Sequence, residues 1–390
     1  MIKYDLFIMI VCFFVILTLS IYITYIYVSH ILYDEPFHLY FNKIYYPLTD
    51  DSIKENKEID KFPIDIVITW VNSQDKDWIE LKNKYSQQNI TIGSRDIRFA
   101  NFGSLKYVLR GIYRYMNWVR NIFITSANQS PPDWLIPNEQ IGFPNDYIKT
   151  TNNRSFPNLV WINHSSFIPQ SALPTFNSHA IEACIHNIDE LSEHFIYFNS
   201  DFFVNDYIKI NDMFDNAFNP KIITSNYKLT NNKTFNSTKP KDWTSFLIKN
   251  IGLDEFRYIK FKMYSHTAMP FTKTLLKRAC AKYNDLWQKT IHNKFRTYED
   301  DISPFFISYC LAYKDGNIRL LNNKGTARCI TVDISQKIKN IDLSNCKLSC
   351  INLSNDKNRE YSNKILEGNI NYIQKLYEKI WNNECPWEFY

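Results

Sequence analysis

Glycine is scarce, 8 residues in 390, while 45% of the chain is apolar. That balance excludes a chain disordered throughout and leaves material for a sizeable core. Strong charge of either sign is also missing: the net charge is +5, with lysines scattered among Asn, Asp and Glu. No basic stripe is available to track a phosphate backbone, which argues against nucleic acid as a partner. There is no CxxC pair or His-rich spacing of the kind that marks structural zinc, and no internal repeat. What is abundant is Asn, Lys, Ile and Tyr, the composition an AT-rich genome produces, so Asn- and Lys-based motifs arise cheaply here.

The first long feature is apolar. Residues 6–28 are interrupted only by Thr18, Ser20 and Thr24, enough to cross a hydrocarbon core of about 30 Å as a helix. Lys3 precedes the run while Asp34 and Glu35 follow it, a positive-inside bias that leaves the N-terminus cytoplasmic. The expected organisation is a signal anchor in residues 1–30, a stem over 31–61, and one domain over 62–385 in a Golgi-like secretory lumen, as in a single-pass type II membrane protein. A cleaved signal peptide is the alternative, but the bulky Tyr25-Ile26-Tyr27-Val28 offers no small-x-small cleavage site. A lumenal domain would make Asn89, Asn128, Asn153, Asn163, Asn232, Asn236 and Asn352 glycan acceptors, and Cys329, Cys346, Cys350 and Cys385 the expected disulfide set.

From residue 62 onward, strand and helix signals alternate. Ile64-Asp65-Ile66-Val67-Ile68-Thr69-Trp70-Val71 is a β-branched run that reads as a buried strand. Leu105, Val108, Leu109, Ile112, Tyr113 and Met116 then recur at helical spacing. Strands are predicted at residues 122–125, 159–162 and 195–198, with a short helix around Ala180 and Ile181 between the last two. Residues 225–241 read as an exposed loop insertion. Helices are predicted over 270–283, 302–313 and 361–381. This order predicts an α/β layer fold with a central mixed sheet and a helical C-terminal part.

Residues able to carry chemistry fall into four blocks: Asp65 with Trp70, Asn72 and Asp75; Asn199 and Asp201; His266; and Arg296 with Glu299, Asp300 and Asp301. Polar residues directly after an apolar strand stand where open α/β sheets bind ligands. An Asn-x-Asp there suits Mg²⁺ or Mn²⁺ bridging a diphosphate, since those cations take oxygen ligands. Asp201 alone is equally a helix-capping or turn acid, His266 a satisfied structural histidine, and Arg296 a member of a surface ion-pair cluster. His179 and Glu182 at i, i+3 could face one ion together or simply form a polar helix face.

Taken in order, several of these blocks resemble the signature regions of the Stealth family. They are Pro63 to Asn72, the segment from Arg98 through Asp201, His266 with Pro270, Arg296-Thr297-Tyr298-Glu299-Asp300, and Cys350-Ile351-Asn352. The most specific parts are Trp118-Val119-Arg120-Asn121-Ile122-Phe123-Ile124, then residues 173–182 and 191–201. That family includes capsule polysaccharide phosphotransferases and the N-acetylglucosamine-1-phosphotransferase α/β subunit. The resemblance implies a Rossmann-like nucleotide-sugar transferase fold. It also implies transfer of a sugar 1-phosphate, as from UDP-N-acetylglucosamine, to a glycan hydroxyl with release of UMP. By the same resemblance Asp65, Asp201, His266 and Arg296 are catalytic, Asp201 binds the metal, and Trp70, Asn72, Asp75, Asn199, Glu299 and Asp300 bind the donor. The family pattern has acids where this chain has Asn101, Ser104, Ser200, Leu353 and Ser354. A glycosyltransferase releasing UDP and an inactive glycan-binding relative are the competing readings.

Overall fold

The computed structural model describes residues 62–86, 99, 102–135, 147–149, 157–228, 262–297, 301–343, 345–354 and 363–388. All of them belong to one compact unit, residues 50–390. The apolar run at 6–28, the stem at 31–61, and Glu299 and Asp300 lie outside the described residues. Among those described, no helix is long and apolar enough to cross a membrane.

The main sheet has six strands: β1 (Ile64–Thr69), β2 (Asn121–Ser126), β3 (Tyr147–Lys149), β4 (Asn158–Asn163), β5 (His194–Asn199) and a late arrival at residues 269–272. Their spatial order is β3, β4, β2, β1, β5 and then that late strand. The inner four run parallel, and both edges are antiparallel. Each inner strand buries side chains on both faces. Ile64, Ile66 and Ile68 enter one core and Val67 the other; Ile196 and Phe198 likewise oppose Phe195 and Tyr197. Two buried faces are what a β-branched run without polar alternation requires.

Helices cover both faces. Over the first lies α2 (Ser104–Tyr115), whose Leu105, Val108, Leu109 and Ile112 are buried, while α1 (Lys76–Ser86) packs Trp78 into a separate small cluster with Phe176 and Phe295. The second face is covered by α3 (Ser178–Cys184), α4 (Lys273–Lys282), α5 (Asn284–His292) and α6 (Pro304–Lys314), contributing Ala183, Leu276, Trp287 and Phe305. The closing helix α7 (Asn363–Ile380) returns to the first face through Ile373 and Tyr377. Gly111 on α2 sits so close to the next strand that an added Cβ would meet the Val204 carbonyl oxygen at 2.8 Å.

That next strand is β6 (Phe202–Val204), reached from β5 through the two-residue turn Ser200-Asp201. It starts a second sheet by pairing antiparallel with residues 348–350, part of a strand that in turn runs parallel to residues 327–333. A third sheet joins β7 (Lys221–Lys228), β8 (Lys262–Tyr264) and β10 (Arg319–Asn322). The late edge strand of the main sheet is β9 (Met269–Thr272), and the two members of the second sheet are β11 (Ala327–Asp333) and β12 (Leu348–Ser354).

Three sequence expectations are corrected. Residues 270–272 belong to β9, not to a helix; Pro270 has no N–H to donate and is tolerated at a sheet edge. The helix starts at Lys273, where the Thr272 hydroxyl oxygen accepts from the Leu275 N–H at 3.1 Å. Residues 225–228 extend β7 instead of opening a loop. Among the described residues Cys329, Cys346, Cys350 and Cys385 are free thiols, with no disulfide between them.

Candidate active site

A cavity of about 290 Å³ opens at the carboxyl ends of β1 and β5. Its wall includes Thr69 and Trp70, which end β1, and Asn199, Ser200 and Asp201, which end β5. Thr69 pairs with Asn199 in the ladder, so the two strand ends reach the same height. The Ser200-Asp201 turn is held from the far side by β12: the Asp201 carbonyl accepts from the Ile351 N–H at 3.3 Å. This brings Ile351, Asn352 and Leu353 into the wall. His266 arrives by another route. Because β9 pairs antiparallel with β5, placing Met269 opposite Tyr197, the residues just before β9 fall at the carboxyl edge.

Arg296 comes from the segment after α5, which the chain fastens at several points. The Lys294 carbonyl accepts from the Phe176 N–H at 2.8 Å, and Phe295 stacks on Phe176 with centroids 5.1 Å apart. The fully buried Asp301 accepts from the Asn177 side-chain amide at 2.7 Å, from the Asn293 side-chain amide, and from the Thr297 N–H at 3.2 Å. Asn177 in turn caps α3 by accepting from the His179 N–H at 3.0 Å. The result aims Arg296 at the cavity, with its guanidinium donating to the Ser178 hydroxyl.

The site is electrostatically strained. Burial raises the Asp201 carboxyl to about 6, a rise that the nearby His266 charge limits. Burial alone would lower His266, but the Cys329 sulfur and the Asp201 carboxylate outweigh it and hold the imidazole above its ordinary value. Although protein crowds around it at longer range, His266 keeps its own surface exposed, so it can exchange protons with a ligand or solvent. One layer below, burial raises Glu182 to about 7, opposed by Arg296. The Tyr197 hydroxyl lies 3.1 Å from Glu182 Oε1 and 2.6 Å from Asn199 Oδ1, linking that acid to the strand end. Glu182 is thus linked to Asn199 through the Tyr197 hydroxyl.

Asp201, His266, Arg296, Asn199 and Trp70 therefore line one cavity, although as many as 226 positions separate Trp70 from Arg296 (296 − 70). Asp65 does not join them. It lies at the start of β1, four residues or roughly 13 Å from Thr69 at strand rise. Its carboxylate is filled by Arg120 at 2.9 and 2.6 Å and by the N–H groups of Asn121 (3.1 Å) and Ser192 (2.7 Å). This is a structural ion pair at the opposite edge of the sheet. Asn72 is also structural: the Gln129 carboxamide bridges its backbone N–H and carbonyl, both at 2.8 Å. Asp75 caps α1 by accepting from the Trp78 N–H at 2.8 Å and lines a neighbouring cavity of about 400 Å³.

His164 went unnoticed in the sequence. It follows β4 directly, lines both cavities, and is held neutral by burial, which lowers it to about 3. Its Nε2 is buried with no hydrogen-bond partner among the described residues. The available signal was its position immediately after an apolar strand, in Leu159-Val160-Trp161-Ile162-Asn163-His164. The oxygen donors Asp201, Asn199 and Asn352 share the cavity wall, a set that fits a hard cation if a diphosphate completes its shell.

Residues 62–90 match the family model for Stealth protein conserved region 1, and residues 98–222 match that for conserved region 2. Capsular polysaccharide phosphotransferase LcbA of Aeromonas hydrophila is 31% identical over 70% of this chain and 72% of its own length. Exopolysaccharide phosphotransferase cps2G of Lactiplantibacillus plantarum is 28% identical over 82% of this chain and 95% of its own length. For capsular polysaccharide phosphotransferase WcwK of Streptococcus pneumoniae the figures are 30%, 74% and 89%. His266 and Arg296 lie beyond both matched regions, so their membership of the site rests on the geometry above. The chain belongs to the Stealth family.

Proposed function

We propose that the protein transfers a sugar 1-phosphate, with N-acetylhexosamine 1-phosphate the favoured group, from a UDP-sugar to a hydroxyl of an acceptor glycan. The observation that carries this reading is the convergence of Asp201, His266 and Arg296 on one cavity at the carboxyl edge of a parallel core. We read that core as Rossmann-like. In the reaction the acceptor oxygen bonds to the sugar-bearing phosphorus, the bridging P–O bond breaks, and UMP leaves with the bond's electron pair.

His266 takes the acceptor's proton, since it is exposed to the cavity and its pKa lies above the ordinary value. Arg296, aimed from the fastened loop, neutralises charge on the transferring phosphoryl oxygens. Asp201 with Asn199 and Asn352 would hold Mg²⁺ or Mn²⁺, which when bound draws charge from the diphosphate. The neutral His164 and Trp70 supply a desolvated wall for the donor. The same reading keeps the apolar residues 6–28 as a signal anchor that delivers the domain to a secretory lumen.

The test incubates purified protein with Mg²⁺, UDP-N-acetylglucosamine and an oligosaccharide acceptor, followed by mass detection. UMP with a phosphodiester-linked product supports the proposal. UDP release would make the protein a glycosyltransferase, and no turnover across a panel of nucleotide sugars would make it a binding relative.

A further inference from the structure

Beside Asp201 and His266, and outside the cavity lining, lie two sulfurs. The strands β11 and β12 are parallel with Cys329 directly opposite Cys350. The His266 ring meets both sulfurs. His266 Nδ1 is 3.4 Å from Cys350 Sγ and 3.7 Å from Cys329 Sγ, and Cys350 Sγ is 3.6 Å from Asp201 Oδ2. The ligand atoms of His266, Cys329 and Cys350 all lie within 4.8 Å of one another.

Three weak hydrogen bonds would account for contacts of this length, but a second geometry fits them as well. A tetrahedral zinc ion with Zn–S near 2.3 Å and Zn–N or Zn–O near 2.0 Å separates its ligand atoms by about 3.5–3.8 Å. The two distances from His266 to the sulfurs are close to the edges of that tetrahedron. We propose that Cys329, Cys350 and His266 form a three-ligand binding site for one soft divalent cation of the zinc type, distinct in chemistry from the oxygen donors of the cavity. Cys329 and His266 are exposed, which gives the ion a path in, while the buried Cys350 anchors it. Occupation would withdraw His266 from transfer, making the ion an inhibitor; only this consequence rests on the transferase reading.

The test titrates Co²⁺ into the purified full-length chain under reducing conditions without nucleotide. Thiolate-to-cobalt charge-transfer absorption with tetrahedral d–d bands should saturate at one equivalent, be displaced by Zn²⁺, and survive excess Mg²⁺. Cys329→Ser should weaken Co²⁺ binding by at least about 100-fold, whereas Cys280→Ser, on a different element, should leave it unchanged. Melting curves report that both variants fold, and since Cys329 is exposed its substitution costs no core. No charge-transfer band, displacement by Mg²⁺, or full affinity in Cys329→Ser would overturn the site. Zinc should also block UMP release by the unsubstituted protein at one equivalent. Cobalt bands without any nucleotide-sugar turnover would sink the transferase reading and leave the metal site standing; turnover without bands would do the reverse.

Discussion

Asp65 is where the family resemblance and the geometry part, and Asp65→Asn separates them. The wild-type carboxylate accepts four hydrogen bonds in a site with no exposure at all. An amide keeps the shape but offers one acceptor oxygen, and it turns an NH₂ towards groups that are all donors, so a buried N–H loses its partner. That orphan costs about 1–3 kcal/mol, and opening a buried ion pair costs about 3–5 kcal/mol. The Arg120 side chain is 39% exposed and can return to water, which keeps the total near the lower end. A loss of about 4 kcal/mol over a unit of this size corresponds to a melting point roughly 6 °C lower. Thermal melts, with UMP release measured well below the transition, should show a destabilised protein whose activity per folded molecule is unchanged. An unmoved melting point with activity abolished would refute this reasoning and return Asp65 to the chemistry.

Turnover should rise with pH along a limb above pH 6.5, because His266 must be deprotonated to accept a proton and its pKa is raised. Asp201→Asn should shift that limb to lower pH in the residual activity, since the carboxylate helps hold the pKa up; a limb that stays in place would contradict the pairing. His266→Asn should cost about 10²–10⁴ in kcat without moving the melting point, as read by product mass and calorimetry. Asp301→Ala unties Asn177, Asn293 and Thr297, so kcat/KM for the nucleotide sugar should fall by up to about 10²-fold through misplacement of Arg296. Retained kcat/KM would mean that Arg296 does not need the tether. Gly111→Ala drives a Cβ against the Val204 carbonyl and should cost about 1–3 kcal/mol in denaturant unfolding, whereas an unchanged midpoint would deny the close approach of α2 to β6.

The parallel core was readable because its strands are buried on both faces, and an apolar run such as Ile64 to Ile68 has no other comfortable environment. Helix α2 was readable because its apolar spacing has a period and a polar side. The outer sheets were not. Residues 319–322 and 327–333 are mostly half-buried or exposed, with only Ala327 and Val332 buried, and β6 and β8 have three residues each, too few for any period to emerge. For the site, Asp201 was visible as a polar residue directly after an apolar strand. Asp65 misled because strand direction, which a composition pattern does not carry, decides whether an acid faces the ligand edge or the opposite one. Cys329 and Cys350 meet only through the register of two parallel strands, so their spacing in the chain carried no metal signature.

Everything functional here depends on Asp201, His266 and Arg296 surrounding one diphosphate. The direct test is product identification by phosphorus NMR after incubation with Mg²⁺, UDP-N-acetylglucosamine and a glycan acceptor. The account predicts equal amounts of UMP and a new phosphodiester, both lost in His266→Asn. UDP as the sole nucleotide product, or a phosphodiester that still forms at the wild-type rate in His266→Asn, would contradict it.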